Sequence, residues 1–318
     1  MKIGFSYNLK DPSKKGTDAH AEYETPETID AIAEVLSLWG EVVHLPCDEQ
    51  FPGRILDERP ELVFNIAEGW GGRDRESYTP VMCSMLVIPY TGSDATTLGI
   101  TMDKVLTKRI ARDAGVRTTD FMLCHKPPDA EPPFGFPAFV KPEYDGSSRG
   151  ISSHSLISNM DQLIERIRVI INDYHQPALV EPYLKGRDFC VGLLGNNPPQ
   201  VLPICEVLLG HEKGIPFFSF EYKRLDTDRL DFTPALSGGV LDEMENMSLT
   251  LWNVLGCRDY SRIDFRTDAE SVPYLMEVNA LPGLSPVSGI FVRQAIAAGI
   301  SFDVLIKKIM ERIMRYKV

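Results

Sequence analysis

The sequence predicts a chain of class α/β and α+β, with a parallel unit first and an antiparallel region after it. Strand and helix patterns alternate over the first ~95 residues, which implies a parallel sheet with helices on its faces. From Ala178 onward, short strands alternate with loops and carry antiparallel signals. At 318 residues the chain is long enough for two or three lobes around more than one core.

Taken in order, Lys2-Ile-Gly-Phe-Ser-Tyr7 reads as a short apolar strand. Thr25-Pro26 reads as an N-cap followed by Pro at the first helical position. Ile29, Ile32, Ala33, Leu36 and Leu38 then follow at near-helical spacing, and Gly40 ends the helix. Glu41-Val-Val-His-Leu45 is a second strand and Leu62–Ile66 a third, followed by a Gly-rich turn, Glu68-Gly69-Trp70-Gly71-Gly72. Another helix leads to Ile88-Pro89-Tyr90. Thr101–Gly115 reads as one basic amphipathic helix, and Lys126–Pro137, with five prolines, as a loop. Phe136–Pro142 reads as a strand, residues 160–173 as a helix, and Phe302–Tyr316 as an amphipathic helix rich in Lys and Arg. There is no internal repeat.

Composition narrows the function classes. Hydrophobic residues make up 43% and charged residues 25%, ordinary for a soluble protein. A net charge of −12 argues against broad binding to nucleic acid or an anionic membrane, and leaves room for a small anion in a local basic pocket. No apolar run approaches the ~20 residues of a membrane helix, and Met1–Lys10 has no signal-peptide core. The six cysteines are scattered, never as CxxC, which fits buried thiols in a reduced cytoplasm. The six histidines show no metal-ligand spacing.

Three constellations carry chemistry. In Val140–Gly150 a lysine, Lys141, ends a strand and is followed by Gly146-Ser147-Ser148, whose backbone N–H groups and hydroxyls suit polyphosphate oxygens. The segment is not a Walker A loop, and a plain surface turn has the same composition. In Leu179–Phe189 an apolar strand carries two acids seven residues apart, Glu181 and Asp188, which suit a nucleotide's amine and ribose hydroxyls as well as they suit a solvated edge strand. The third and most specific is Ser261-Arg262-Ile263-Asp264-Phe265 with Tyr274-Leu275-Met276-Glu277-Val278-Asn279. Alternation puts Arg262, Asp264, Glu277 and Asn279 on compatible faces of two strands, with Leu275 sharing the face of Glu277 and Asn279. Oxygen ligands of this kind, completed by phosphates, suit Mg²⁺, and salt-bridged strands are the bland alternative.

In order along the chain, the motifs Tyr90-Thr91-Gly92-Ser93, Met102-Asp103-Lys104, Phe139-Val-Lys-Pro142 with Gly146-Ser147-Ser148, Val180-Glu-Pro-Tyr183, Gly186-Arg-Asp188, Arg262-Ile-Asp-Phe265 and Glu277-Val-Asn-Ala-Leu-Pro-Gly283 resemble those of the ATP-grasp ligases, most closely the D-alanine–D-alanine ligase family. The resemblance covers over two-thirds of the chain. It implies a Rossmann-like (pre-ATP-grasp) domain at residues 1–98, a central ATP-grasp lobe at 99–187, and a C-terminal lobe at 188–318 with the metal and substrate site. It further implies that Lys104 and Lys141 bind ATP phosphates, with Ser147 and Ser148 in the loop above them. Glu181 and Leu184 would line the adenine pocket and Asp188 the ribose. Asp264, Glu277 and Asn279 would hold two Mg²⁺ ions, with Mn²⁺ able to stand in. Arg262 and the Gly283 N–H would stabilise an oxyanion, Lys223 would approach the γ-phosphate, and Ser288 would bind the second substrate's carboxylate. A cytoplasmic homodimer with small amino-acid substrates is the implied setting.

The match has departures. The family's N-terminal loop glutamate has no clear counterpart, and Glu22 or Glu24 could serve. A carboxylate, Glu68, stands where the family has His; a helix-N-terminal acid is its bland reading. Arg224 follows Lys223 where Tyr is usual. Gly289 replaces a bulky residue and would enlarge the second-substrate pocket. Trp70 and Tyr90 read equally as packing. The implied function is a Mg-ATP-dependent carboxylate–amine ligase that joins two amino acids through an acyl phosphate. The alternatives are D-alanyl-D-alanine synthesis itself, a hydroxy-acid acceptor, or a non-catalytic nucleotide-binding regulator.

Overall fold

The structure, a computed structural model, describes residues 1–14, 17–208, 217 and 229–315. Three sheets organise it. The first is parallel: β1 (Lys2–Tyr7) lies between β2 (Glu41–Pro46) and β3 (Leu62–Asn65). Helix α1 (Pro26–Leu36) joins β1 to β2, and Thr25 caps it by accepting from the Thr28 N–H, with Pro26 at the first position. Helix α2 (Phe51–Glu58) joins β2 to β3. Sequence reading missed it because Pro52-Gly53 in its first turn resembles a loop. Beyond β3 come α3 (Tyr78–Met85) and a parallel bridge from Val63 to Tyr90.

The expected single helix at 101–115 is two. Helix α4 (Ala95–Met102) stops at Asp103, whose carboxylate caps α5 (Lys104–Asp113) by accepting from the Leu106 N–H. This break turns the first residue of α5, Lys104, toward the loop below. The second sheet is antiparallel, in the order β4 (Met122–Cys124), β7 (Ala178–Pro182), β5 (Ala138–Pro142) and β6 (Leu156–Ile157), backed by α6 (Met160–Tyr174). It has its own apolar core, including Val140, Leu163, Ile167 and Val180.

The third sheet is also antiparallel. Its path is β11 (Arg229–Asp231), β10 (Cys205–Leu208), β8 (Asp188–Leu194), β12 (Tyr260–Thr267) and β13 (Pro273–Asn279), and β9 (Gln200–Val201) pairs with β8. An 18-residue helix, α7 (Gly238–Leu255), lies in a stretch expected to hold only strands and loops. Its two glycines and its Ser, Thr and Asn are weak helix formers, so packing of Met244, Met247, Leu251 and Leu255 in the core is what holds it. Two helices, α8 (Ile290–Ala297) and α9 (Phe302–Arg315), close the chain. The main core is shared: Ile3, Phe5 and Leu36 of the first unit join Phe189, Ile263, Leu305 and Ile309. Each such fully buried side chain contributes roughly 1.5–3 kcal/mol. All six cysteines are free and buried, and no helix among the described residues is long and apolar enough to cross a membrane.

Candidate functional site

The two antiparallel sheets face each other across a cleft, and strand register decides what lines it. On β12 and β13, Arg262 pairs with Asn279 and Asp264 with Glu277. Past Asp264 the register shifts, so that Phe265 pairs with Leu275. This irregularity corrects the expected alternation: Leu275 is fully buried in the core, while Met276 and Glu277 line the cleft. Arg262 donates two hydrogen bonds to Asp264, at 2.8 and 2.7 Å, and Asn279 Nδ2 donates to the same carboxylate at 3.0 Å. Burial works against the Arg262 charge, but Asp264 outweighs it and raises its pKa.

The nucleotide-sized part of the cleft is lined by Phe139, Lys141, Ser147, Ser148, Leu184 and Phe217, and by Asp188 and Arg266. Ser147 and Ser148 both adopt positive φ, 48° and 58°, so the loop is held open by residues that pay for left-handed backbone. Glu181 is fully buried between two ammonium groups, 2.6 Å from Lys108 Nζ and 2.7 Å from Lys141 Nζ. Burial would push this carboxyl up; the two lysines prevail and hold it down at about 2. Lys108, wholly enclosed, is pushed down to about 8 against the pull of Glu181. Sequence reasoning missed Lys108, although its i, i+4 spacing from Lys104 on one helix was a usable signal. It missed Arg266 as well, which holds Asp188 at 2.6 Å and donates to Leu184 O and the Tyr183 hydroxyl.

A second cavity continues from the first past Ser147, Arg262 and Glu277, which line both. It is acidic: Glu22, Glu68 and Glu76 face it, along with Lys104, Asn279 and Gly283. Gly69 makes this corner possible. With φ +69°, it has no side chain to collide with Arg75 O, which a Cβ would meet at 2.1 Å. Arg75 grips both oxygens of Glu22, at 2.8 and 2.7 Å, and Glu22 also accepts from the Gly146 N–H at 2.7 Å. Lys104 donates to Asp145 O at 2.5 Å and lies 3.6 Å from Glu277. Burial pushes the carboxyls of Glu68 and Glu76 up, helped at Glu68 by the charges of Glu76 and Glu22 and at Glu76 by that of Glu22, and Glu76 reaches about 8. Arg75 and Glu76 escaped notice because Arg73-Asp-Arg-Glu76 reads as a solvated charge run.

The remaining expectations are placed as follows. Glu24 lies beside Gly283, where a Cβ would be 3.3 Å from its Oε1, and burial raises its pKa. Ser288 is exposed and donates to the Ser285 hydroxyl at 3.1 Å, outside both cavities. Gly289 does not enlarge a pocket: a Cβ there would meet Ser285 O at 2.7 Å, so its bareness serves a tight backbone turn. Lys223 and Arg224 lie outside the described residues. Trp70 packs edge-on against Tyr78, and Tyr90 lies under Arg258. Among the described residues, no three of His, Cys, Asp and Glu converge as a metal site.

A family model described as "D-ala D-ala ligase C-terminus" matches residues 111–311. The uncharacterized protein y4sG of Sinorhizobium fredii is 36% identical over 79% of this chain and 74% of its own length. A D-alanine–D-alanine ligase of Pelotomaculum thermopropionicum is 31% identical over 82% of each chain. The structure of a Bacillus anthracis D-alanine–D-alanine ligase complexed with ATP superposes with a TM-score of 0.79 at 24% identity, over 99% of this chain and 98% of that one. With its fold matched end to end and most of its length aligned to one family, the chain belongs to the D-alanine–D-alanine ligase family and is a ligase.

Proposed function

We propose that this ligase joins the carboxylate of one amino acid to the amine of another at the expense of ATP, with Mg²⁺ bound. One observation carries the reading: Arg262, Asp264, Glu277 and Asn279 converge from two strands, with Lys104 3.6 Å from Glu277, where a nucleotide-sized cavity meets an acidic one.

Two carboxylates and a carboxamide oxygen form a hard donor set that fits Mg²⁺, and Glu277, its side chain a quarter exposed, opens to the cleft. Asp264, Glu277 and Asn279 would hold the ion, which when bound offsets charge on the phosphates. Phe139, Leu184 and Phe217 offer apolar surface for a base, and Lys141 and Lys104 offer charge for phosphates. Ser147 and Ser148 roof the same space.

A carboxylate is a poor electrophile toward an amine. Its oxygen attacks the γ-phosphorus, the bond to the bridging oxygen breaks, and ADP leaves with that electron pair. The acyl phosphate that forms has a good leaving group. The second substrate's amine attacks the acyl carbon, loses a proton, and expels phosphate. Arg262, which lines the acidic cavity together with Gly283, would offset the charge that the acyl oxygen gains in that step. A closed loop over the cleft keeps water from the acyl phosphate.

The test is phosphate release from ATP with Mg²⁺ against D- and L-amino acids, singly and in pairs, with mass detection of product. A dipeptide mass that depends on two amino acids is the expected result. ATP turnover unaffected by Glu277→Ala with every pair would sink the mechanism.

A further inference from the structure

Two buried lysines share one buried carboxylate at the nucleotide end of the cleft. We infer that the more enclosed of them, Lys108, is a positioning residue for the nucleotide's phosphates: it occupies one oxygen of Glu181 and so keeps the charge of Lys141 available to the cleft. The inference rests on the ATP-dependent ligase reading of the same site.

Lys108 lines neither cavity, so it reaches a ligand only through other groups. It stands one turn after Lys104 on α5 and is 1% exposed. Its Nζ lies 2.6 Å from Glu181 Oε1 and donates to the Thr118 and Thr119 hydroxyls, at 2.7 and 3.1 Å, and to Leu275 O at 3.3 Å. Each hydroxyl passes its own proton on, Thr118 to Leu275 O at 2.8 Å and Thr119 to Glu181. The ammonium is therefore fixed from β13 and from the segment after α5 as well as from β7. Between β7 and β5, Glu181 pairs with Phe139, so Lys141, two residues further on, shares its face. Lys141 Nζ lies 2.7 Å from the other carboxylate oxygen, Oε2, and this lysine lines the nucleotide cavity.

Lys108, Lys141 and Glu181 together carry one surplus positive charge. Among the described residues, every other charged side chain that lines this cavity has an opposite partner: Asp145 with Arg149, Asp188 with Arg266, Asp264 with Arg262, and Glu277 with Lys104. The surplus thus comes from Lys108 and is delivered at Lys141. Burial pushes Lys108 down to about 8, which still leaves it mostly protonated at neutral pH. Without Lys108, Glu181 would be matched one to one by Lys141 and would cancel its charge at the phosphates. The effect should grow with the number of phosphates, whereas a residue that merely supports the walls would act on every nucleotide alike.

Calorimetric titration of the whole chain with adenosine, AMP, ADP and ATP, in Mg²⁺ and without amino acids, measures this apart from turnover. In Lys108→Met the loss of affinity should rise along that series, from under about twofold for adenosine to roughly tenfold or more for ATP. Adding Glu181→Gln should recover most of the ATP loss, because Lys141 then has no carboxylate to neutralise it. An equal loss for adenosine and ATP would overturn the inference, and so would a double variant that binds ATP no better than Lys108→Met. Should the methionine prevent folding, Thr118→Val carries the test, since it removes one acceptor of the ammonium and keeps the shape. It should give the same graded loss, about threefold for ATP, and equal losses or none would overturn the inference as well. Wild-type binding with a flat Lys108→Met series removes this inference alone. No binding of any nucleotide by the wild-type chain removes the ATP-dependent reading and this inference together.

Discussion

The two ends of the cleft solve the same problem in opposite ways. At the nucleotide end a buried carboxylate, Glu181, is enclosed by two lysines, and every charge has a partner before a ligand arrives. At the acidic end two half-buried carboxyls, Glu68 and Glu76, face the cavity beside an arginine already committed to Glu22. Charge that is paired internally stiffens a pocket. Charge left over biases it toward a ligand of the opposite sign. Removing an acid should therefore weaken the fold at one end and strengthen it at the other.

Arg262 lines both cavities, so it is the place where the comparison should break first. Arg262→Ala should lower kcat by ~10²–10³, the loss typical of one oxyanion donor, with a smaller change in nucleotide affinity. Steady-state phosphate release against nucleotide binding separates the two. Glu181→Gln comes next. It leaves Lys108 and Lys141 buried without a counter-charge and should cost about 3 kcal/mol at neutral pH, read by urea unfolding.

Glu76→Gln should have the opposite sign. The folded chain keeps the Glu76 proton to about pH 8, while the unfolded chain loses it near 4.5. Between those values the folded state binds more protons, so stability falls as pH rises through the window. Melting curves of the wild-type chain should show that decline between pH 5 and 9, and the Gln variant should flatten it. Arg266→Met, which frees Asp188 and the backbone at Leu184, is the mildest change. It should raise the KM for ATP by about threefold to tenfold, with kcat little altered, equal to ~1 kcal/mol.

The same contrast explains what could be read from the sequence. Arg262, Asp264, Glu277 and Asn279 sit on strands, where a period of two and an antiparallel pairing decide which residues meet. Lys141, Glu181 and Asp188 lie on or at the ends of strands too, and all three were legible. The acidic end is built from Glu22 ahead of α1, Glu68 in a glycine turn, and Arg75 and Glu76 just before α3. No periodicity links those segments, and only the folded chain brings them together. Even on the strands, one irregularity beside Phe265 was enough to send Leu275 to the core in place of the cleft. Helix α7 was hidden for a related reason: its stability comes from the sheet it covers rather than from its own residues.

The six enclosed cysteines have a practical consequence. Burial pushes the thiols of Cys47 and Cys124 up to about 11 and those of Cys83 and Cys257 to about 12. Sulfur in that state has almost no thiolate at neutral pH and no route to a bulky reagent. With all six native thiols buried, one thiol placed at exposed His154, just past the Ser147–Ser148 loop, should take up a maleimide dye well ahead of them. Fluorescence from that single position would follow the loop as each substrate arrives, in an enzyme otherwise left in its native form.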